Sequence, residues 1–196
     1  MRRLLIATRN MHKTKEISSI LGDSYQVVDL SEAPGAPEVE ETGSTFVENS
    51  TLKAVAISNV SEALILADDS GLEVDALQGA PGVYSARYAG PEADDRANND
   101  KLLAALHGVP MEKRTARFRC VMVVARAGVV LGDFEGSVEG RILEQAAGTG
   151  GFGYDPLFVP EGYTESFAEL GPGIKNGLSH RACAMEKLVD WLHGTE

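Results

Sequence analysis

The sequence predicts an α/β protein in which a mixed β-sheet is flanked by helices. Short apolar runs alternate with segments of helical spacing through the first half of the chain, as expected when helices cover the faces of a sheet. Two longer apolar runs, Arg117–Val124 and Val129–Gly136, then flank the turn residues Arg126-Ala-Gly128, a spacing that suits a β-hairpin. Because a hairpin joins antiparallel strands, the sheet is expected to be mixed rather than purely parallel.

Each element near the N-terminus follows from a local signal. Leu4–Thr8 is a short apolar run that ends in polar residues, which is typical of a buried strand. Apolar residues at helical spacing predict a helix from Lys13 to Leu21, with Gly22 as its end. Tyr25–Leu30 has the composition of a second strand, and Ser31–Glu41, with two prolines and four glutamates, predicts an exposed loop.

The middle of the chain continues the alternation. The sequence Thr45-Phe-Val-Glu48 is a capping box, which predicts the start of a helix that runs to about residue 60. The apolar run Ala63–Ala67 predicts a third strand that stops at Asp68. Gly79–Gly90 combines glycine, proline and aromatic residues and predicts a structured loop, whereas the leucine spacing of Asp94–His107 predicts a helix.

Two further segments follow the hairpin. Ala147–Pro160 is rich in glycine and predicts a loop, and Ser179–His193 has the spacing of a final amphipathic helix. Neither internal repeats nor a linker interrupts the sequence. Residues 1–196 are therefore expected to form a single domain.

Composition and charge exclude several classes of partner. The chain has 18 basic and 29 acidic residues, a formal charge of −11, and no segment supplies the basic stripe that a nucleic-acid binder needs. Nucleic acids and membranes are not expected as partners, although a few basic residues in one cleft could still bind a small anion. No run of about 18 apolar residues occurs, and the N-terminus turns polar too soon for a signal peptide, so we expect a cytoplasmic protein.

The acidic segment Asp68-Asp69-Ser70-Gly71 is the strongest candidate for a functional site. It directly follows the third predicted strand, and ligands of open α/β sheets bind beyond the carboxyl ends of strands. Two adjacent carboxylates repel each other unless a cation or a proton holds them. The same position also suits a solvated turn with a helix-capping aspartate.

A second candidate, Thr8-Arg9-Asn10-Met11-His12-Lys13, lies where the chain leaves a strand and enters a helix. Free N–H groups at a helix N-terminus favour phosphate, Thr8 and Asn10 can donate hydrogen bonds, and Lys13 can reach an anion. An ordinary strand–helix turn would have the same composition. The chain contains no Gly-Lys dipeptide, which excludes a Walker-type phosphate loop.

Two segments nearer the C-terminus complete the candidates. Gly148-Thr-Gly150-Gly-Phe-Gly153 matches G-x-G-x-x-G, but it neither follows a predicted strand nor starts a helix, so no dinucleotide fold is expected. Phe152 could instead stack on a base. Ser179 is predicted to cap the last helix, which would place His180 and Arg181 at its positive end, near a base or a phosphate.

Together these segments resemble the house-cleaning nucleoside triphosphate pyrophosphatases that act on inosine, deoxyinosine and xanthosine triphosphates. Seven motifs of that family occur in family order: Thr8–Lys13, Glu40-Glu-Thr-Gly43, Glu48-Asn49 with Lys53-Ala54, Ala67-Asp-Asp-Ser-Gly-Leu72, Gly79–Tyr88, Gly150–Pro156 and Ser179-His-Arg181. The resemblance covers nearly the whole chain. It implies an elongated mixed α/β sheet in two lobes with an active-site cleft between them, and a homodimer.

The resemblance also implies a reaction, the Mg²⁺-dependent hydrolysis of a nucleoside triphosphate to the monophosphate and pyrophosphate. It assigns the metal to the carboxylates of Glu40, Glu41, Asp68 and Asp69, and carboxylate oxygens are ligands that Mg²⁺ prefers. Asp69 would also be the catalytic base that orients the attacking water. The candidates for neutralising the leaving pyrophosphate are Lys13, Lys53 and Lys175.

The substrate contacts implied by the resemblance are divided between phosphate and base. Thr8 to Lys13 would hold the triphosphate, and Ser70 would contact the substrate. Phe152 would stack on the purine, within a pocket formed by Gly153, Tyr154 and Asp155. The base and phosphate end would be closed by Lys175, His180 and Arg181. Selectivity would depend on the 6-position, where hypoxanthine and xanthine carry a carbonyl and adenine an amino group.

Two features depart from the family pattern, and two alternatives stay open. Arg9 stands where many relatives have glycine, and Glu169–Ile174, before Lys175, is rich in glycine and proline. The closest alternative is the related septum-inhibitor-type pyrophosphatase of thymidine or uridine triphosphates, against which Ser179-His-Arg181 argues. The other is a catalytically inactive nucleotide-binding regulator, which would be expected to lack part of the carboxylate set.

Overall fold

A six-stranded mixed sheet with flanking helices forms the fold. The computed structural model describes residues 2–22, 25–33, 35–91 and 94–194. Within these ranges the strands are β1 (Arg2–Ile6), β2 (Tyr25–Asp29), β3 (Leu64–Val74), β4 (Thr115–Arg126), β5 (Val129–Ile142) and β6 (Phe158–Pro160). The α-helices in the same ranges are α1 (Met11–Leu21), α2 (Phe46–Ser58), α3 (Asp95–Ala105), α4 (Phe167–Leu178) and α5 (His180–Gly194).

Both strand directions occur in the sheet, whose order is β2-β1-β3-β4-β5-β6. β1 pairs in parallel with β2 and with β3, and β5 pairs antiparallel with β6. Ala127 and Gly128 both have positive φ angles and form the two-residue turn between β4 and β5, the geometry that matches the twist of a hairpin. The predicted mixed α/β sheet and its hairpin are confirmed.

The chain divides into two compact units, each with its own apolar core. Unit 1 contains residues 1–69, 120–136 and 181–196, and unit 2 contains residues 70–119 and 137–180. In unit 1 the core includes Ile6, Ile17, Leu66, Met122 and Leu188. In unit 2 it includes Leu72, Leu102, Phe118, Phe158 and Phe167. Two units agree with the two lobes that the resemblance implies, whereas the cleft and the single domain stay predictions.

Three strands are longer than the sequence predicts: β4 and β5 extend beyond Arg117–Val124 and Val129–Gly136, and β3 extends furthest past its predicted end. β3 does not stop at Asp68 but continues to Val74, so the Asp-Asp-Ser-Gly segment lies inside the strand. Turn-forming residues can remain in a buried strand when other side chains neutralise and bind them, and the buried carboxylate of Asp68 has such partners in unit 1. The prediction of a strand end at this point is wrong.

Two of these strands and α-helices, α4 and β6, were not predicted. α4 begins with a capping box between Ser166 and Glu169, and the helix is interrupted at Gly171, whose φ of 75° is not helical, next to Pro172. These residues hide the helical pattern. The three-residue strand β6 lies within the segment predicted as a glycine-rich loop. Among the described residues, no helix combines the length and the apolar character needed to cross a membrane.

Candidate active site

The turn before α1 is shaped by its own polar side chains. Asn10 is the N-cap residue, and its Oδ1 accepts hydrogen bonds from the backbone N–H groups of His12 (2.9 Å) and Lys13 (3.3 Å). Thr8 Oγ1 accepts the N–H of Asn10 at 3.1 Å. Asn10 therefore stabilises the start of the helix in the usual way of an N-cap. The side chains of Arg9, Met11 and His12 are exposed at this end of α1.

The carboxylate of Asp68 is buried against two cations of unit 1. Its Oδ2 lies 2.8 Å from Lys13 Nζ and 3.6 Å from Arg181 Nη2. Arg181, itself 1% exposed, also forms an ion pair with Glu16. Burial acts to raise the pKa of Asp68, but the charges of Lys13 and Arg181 outweigh it and hold this pKa well below its ordinary value. Asp68 is therefore a buried carboxylate whose charge is balanced by Lys13 and Arg181, and it holds both side chains in position.

The neighbouring carboxylate, Asp69, is in a different environment. Asn49 Nδ2 donates a hydrogen bond to its Oδ2 at 3.1 Å, and Lys53 Nζ lies 3.9 Å from its Oδ1. Burial raises the pKa of Asp69 and the charge of Glu41 adds to this effect, while Lys53 and Lys13 oppose it; the net pKa is above the ordinary value. A carboxylate with a raised pKa is a stronger base than an exposed one.

Asn49 is itself held in one orientation. Its Oδ1 accepts the backbone N–H of Gly43 at 2.8 Å, which directs Nδ2 towards Asp69. A Cβ added to Gly43 would lie 2.7 Å from that same oxygen. Glycine at position 43 therefore allows the close approach that orients the amide of Asn49.

Lys53 lies among oxygen atoms from three residues. Its Nζ donates to Glu41 Oε1 at 2.6 Å and to the main-chain oxygen of Asp68 at 2.7 Å, in addition to its proximity to Asp69. Burial lowers the pKa of Lys53, but the negative charges of Asp68, Asp69 and Glu41 outweigh burial and raise it overall. Lys53 therefore stays charged and links α2 to β3.

The carboxylates of Glu41 and Asp69 are the pair best suited to a hard cation. Both are within 4 Å of the ammonium group of Lys53, so this place already attracts positive charge. Within the described residues, no three His, Cys, Asp or Glu side chains are grouped as a metal site. Mg²⁺ is commonly held by one or two carboxylates together with substrate phosphates and water, so a pair fits this ion. The side chain of Glu40 is exposed, and that of Asp68 is occupied by Lys13 and Arg181.

In unit 2 the buried carboxylate of Asp155 stabilises the glycine-rich segment through hydrogen bonds. This side chain is 2% exposed, and its Oδ2 accepts the backbone N–H of Phe152 (2.8 Å) and a proton of Lys175 Nζ (2.7 Å). The ammonium group of Lys175 also lies 4.6 Å from the ring centroid of Phe152, within cation–π range. Gly151 has a φ of 72°, and a Cβ there would collide with Asp155. The loop conformation thus depends on Asp155.

Four other predicted residues lie in unit 2, among them Gly153, whose φ is 60°. Tyr154 is buried, and its hydroxyl donates to the main-chain oxygen of Ser85 at 2.8 Å. The buried ring of His180 stacks on Phe118, with ring centroids 4.9 Å apart. Ser70 is partly exposed within β3.

Comparison with known proteins places these residues in a family. The family model described as the Ham1 family matches residues 4–191. The chain belongs to the Ham1 family. It is 53% identical over 192 residues to the dITP/XTP pyrophosphatase of Desulforamulus reducens, which covers 97% of this chain and 96% of the relative.

Solved structures of the Ham1 family extend the relationship to the fold. The Ham1 protein of Staphylococcus aureus has a TM-score of 0.88 and 40% identity, with 100% of each chain covered. A HAM1 protein from Coxiella burnetii has a TM-score of 0.89 and 38% identity, with 99% of this chain and 100% of the other covered. The likeness therefore includes both units of this Ham1-family chain.

The predicted residues that are joined by ion pairs or by the cation–π contact fall into two groups. Unit 1 brings together Lys13, Glu41, Lys53, Asp68, Asp69 and Arg181. Unit 2 brings together Phe152, Asp155 and Lys175. Sequence reasoning gave no role to Glu16 or Gly43 and named Asn49 only as part of a motif. Gly43 and Asn49 both occur in the family motifs named in the sequence analysis, and this was the signal that could have identified their contact.

Proposed function

We propose that this Ham1-family chain is a Mg²⁺-dependent pyrophosphatase that hydrolyses ITP, dITP and XTP to the nucleoside monophosphate and pyrophosphate, and so removes non-standard purines from the nucleotide pool. The observation that carries the proposal is the group formed by Asp69, Glu41 and Lys53. It combines a buried carboxylate of raised pKa, a second carboxylate and a fixed cation. The 53% identity to a dITP/XTP pyrophosphatase supports the choice of substrate.

The triphosphate is assigned to residues of unit 1. Thr8 to Lys13 comprise the turn before α1, its N-cap Asn10 and its first three residues, where the helix dipole favours an anion. Lys13 and Lys53 carry charges that Asp68 and Glu41 hold in position. Positive groups fixed before the reaction stabilise the charge that develops on the leaving pyrophosphate without reorganising during the reaction.

Asp69 is assigned as the residue that orients the attacking water and accepts its proton. Its burial supports this role because the raised pKa increases its basicity, and Asn49 fixes the orientation of the carboxylate. A bound Mg²⁺ would be held by Glu41 and Asp69, and it would neutralise phosphate charge and lower the pKa of bound water. Asp68 and Arg181 are assigned to the placement of Lys13.

The purine is assigned to residues of unit 2. We expect Phe152 to stack on the base, with Gly153 and Tyr154 beside it and Asp155 maintaining the loop. Tyr154 is buried in the core of unit 2 with its hydroxyl bound to Ser85, so we expect it to support this pocket from the protein side. His180, Lys175 and Ser70 complete the expected contacts. A donor facing the 6-carbonyl of hypoxanthine would leave the amino group of adenine unpaired.

Oligomeric state, domain number and location are further parts of the proposal. We propose a cytoplasmic homodimer, each subunit a single domain over residues 1–196, without nucleic-acid partners. Sedimentation of the pure protein tests the dimer, and a single cooperative unfolding transition would support one domain.

The test is pyrophosphate release from a panel of triphosphates in the presence of Mg²⁺. We expect ITP, dITP and XTP to be hydrolysed with a kcat/KM about a hundredfold above those for ATP and GTP. A preference for dTTP or UTP would assign the chain to the septum-inhibitor-type alternative. Nucleotide binding without release of pyrophosphate would make it a regulator instead.

A further inference from the structure

The main chain of Gly153, in the loop assigned to the purine, is bound by two side chains of α3. Asp95 Oδ2 accepts the N–H of Gly153 at 2.6 Å, and Asn99 Nδ2 donates to its carbonyl oxygen at 2.9 Å. Residues four apart lie on the same face of a helix, so one face of α3 binds both polar main-chain groups of a single loop residue. All three residues belong to unit 2.

α3 is a firm support for this contact. Asp94 caps its first turn by accepting the N–H of Ala97 at 2.8 Å. The buried side chain of Asn98 donates to the carbonyl oxygen of Ala86 and accepts the N–H of Ala89. Leu102 is buried in the core of unit 2. Through α3, the hydrogen bonds of Asp95 and Asn99 therefore tie the main chain of Gly153 to the core of unit 2.

The main-chain groups on both sides of the Phe152 side chain are hydrogen-bonded to other side chains. On one side its own N–H is bound by Asp155, and on the other the peptide groups of Gly153 are bound by Asp95 and Asn99. Gly153 has a φ of 60°, a conformation that glycine adopts readily, so the side chains of α3 must select it from several accessible ones. Fixing these main-chain groups restricts the direction of the Cα–Cβ bond of Phe152, and with it the region in which the ring can meet a base.

We propose that Asp95 and Asn99 are positioning residues for nucleobase binding, which act through Gly153 on the ring of Phe152. This inference rests on the proposed function, because it specifies how the base end of that substrate is held. Neither side chain needs to touch the nucleotide. The phosphate contacts belong to other residues and are independent of these hydrogen bonds.

The inference predicts a defect limited to ligands that contain a base. In Asp95→Ala and Asn99→Ala, KM for ITP should rise about tenfold, because each variant loses one hydrogen bond, from the exposed Asp95 or from the half-buried Asn99. The value of kcat should not change. The inhibition constant of IMP should rise by a similar factor, whereas that of inorganic triphosphate should not change. Asp95→Asn retains an acceptor oxygen and should restore KM to within about twofold of wild type.

The matched control is Asp100→Ala on the same helix. The side chain of Asp100 is 71% exposed. Among the described residues, its ion pair is with Arg96, which is 91% exposed and lies 4.0 Å away. This variant should leave every kinetic constant unchanged. A rise of the triphosphate inhibition constant together with KM, or an unchanged KM in both alanine variants, would overturn the inference.

Hydrogen exchange separates this inference from the proposed function. Asp95→Ala removes the acceptor of the Gly153 N–H, so the exchange of this amide in the ligand-free protein should become about tenfold faster. If wild type does not hydrolyse ITP but the exchange rate rises, the proposed function fails and the contact stands. If wild type hydrolyses ITP and neither the exchange rate nor KM changes, the inference alone fails.

Discussion

Replacing Asp68 by asparagine should destabilise the protein while leaving its requirement for Mg²⁺ unchanged. Asp68 is assigned here to the placement of Lys13 and Arg181 rather than to the metal. The introduced side chain is not an adequate substitute, because a neutral amide cannot neutralise two buried cations. The substitution therefore distinguishes an ion-pair role from a metal-ligand role.

The size of the effect follows from the distances. At separations of 2.8 Å to Lys13 Nζ and 3.6 Å to Arg181 Nη2, the Coulomb energies are about 6 and 5 kcal/mol at an effective dielectric constant of about 20. The cost of burying the charges offsets much of this gain. Removing one partner of a buried pair typically costs about 3–5 kcal/mol. We expect the lower value, about 3 kcal/mol, because Arg181 retains Glu16 and Lys13 is 16% exposed.

Calorimetry and activity at varied Mg²⁺ concentration test this prediction. A chain of this size loses about 2–4 °C of Tm for each kcal/mol, so Asp68→Asn should lower Tm by about 6–12 °C. The control Asp100→Asn breaks an exposed ion pair and should lower Tm by no more than about 2 °C. A change in Asp68→Asn as small as that of the control would refute the reasoning, and a raised Mg²⁺ requirement would show that Asp68 is a metal ligand.

Three further substitutions test the site residues. Lys53→Ala removes a cation fixed by Glu41 and should reduce kcat/KM for ITP about a hundredfold in steady-state assays; an unchanged value would exclude a role for Lys53 in catalysis. Phe152→Ala should raise KM for every purine substrate about tenfold, the usual effect of losing one stacking contact. KM values equal to those of wild type would exclude stacking. Gly151→Ala places a Cβ against Asp155 and should lower the free energy of unfolding by about 1–3 kcal/mol in urea; unchanged stability would show that the loop adapts to the added group.

Local signals predicted the fold where the relevant interactions are local. The capping box at Thr45 and Glu48 forms as expected, with the N–H of Glu48 donating to Thr45 Oγ1. The turn between β4 and β5 also lies at its predicted residues. Both features depend on residues a few positions apart, whose identities are sufficient to specify the geometry.

Features that depend on distant residues could not be predicted in the same way. β3 continues through Asp68 because Lys13 and Arg181, from remote parts of the chain, neutralise the carboxylate. Composition alone therefore indicated a turn. α4 was not predicted because Gly171 and Pro172, which interrupt the helix, are residues typical of loops.

In the candidate site, too, the sequence indicated single residues but not their contacts with distant parts of the chain. Family motifs drew attention to Asp69, Lys53 and Asp155, but they did not reveal which side chains bind each other. The pairing of Asp155 with Lys175 requires the folded loop. Asp95 lies in an exposed first helical turn, where acidic residues are common for reasons of the helix dipole alone, so its contact with Gly153 had no distinguishing signal.

The most direct test of the central claim compares wild type with Asp69→Asn on ITP and Mg²⁺ by phosphorus NMR. Wild type should produce IMP and pyrophosphate in equal amounts. Asp69→Asn should bind ITP, as measured by calorimetry, without detectable turnover, because the amide cannot accept a proton from the attacking water. Release of IDP and phosphate by wild type, or a rate near that of wild type in Asp69→Asn, would contradict the account.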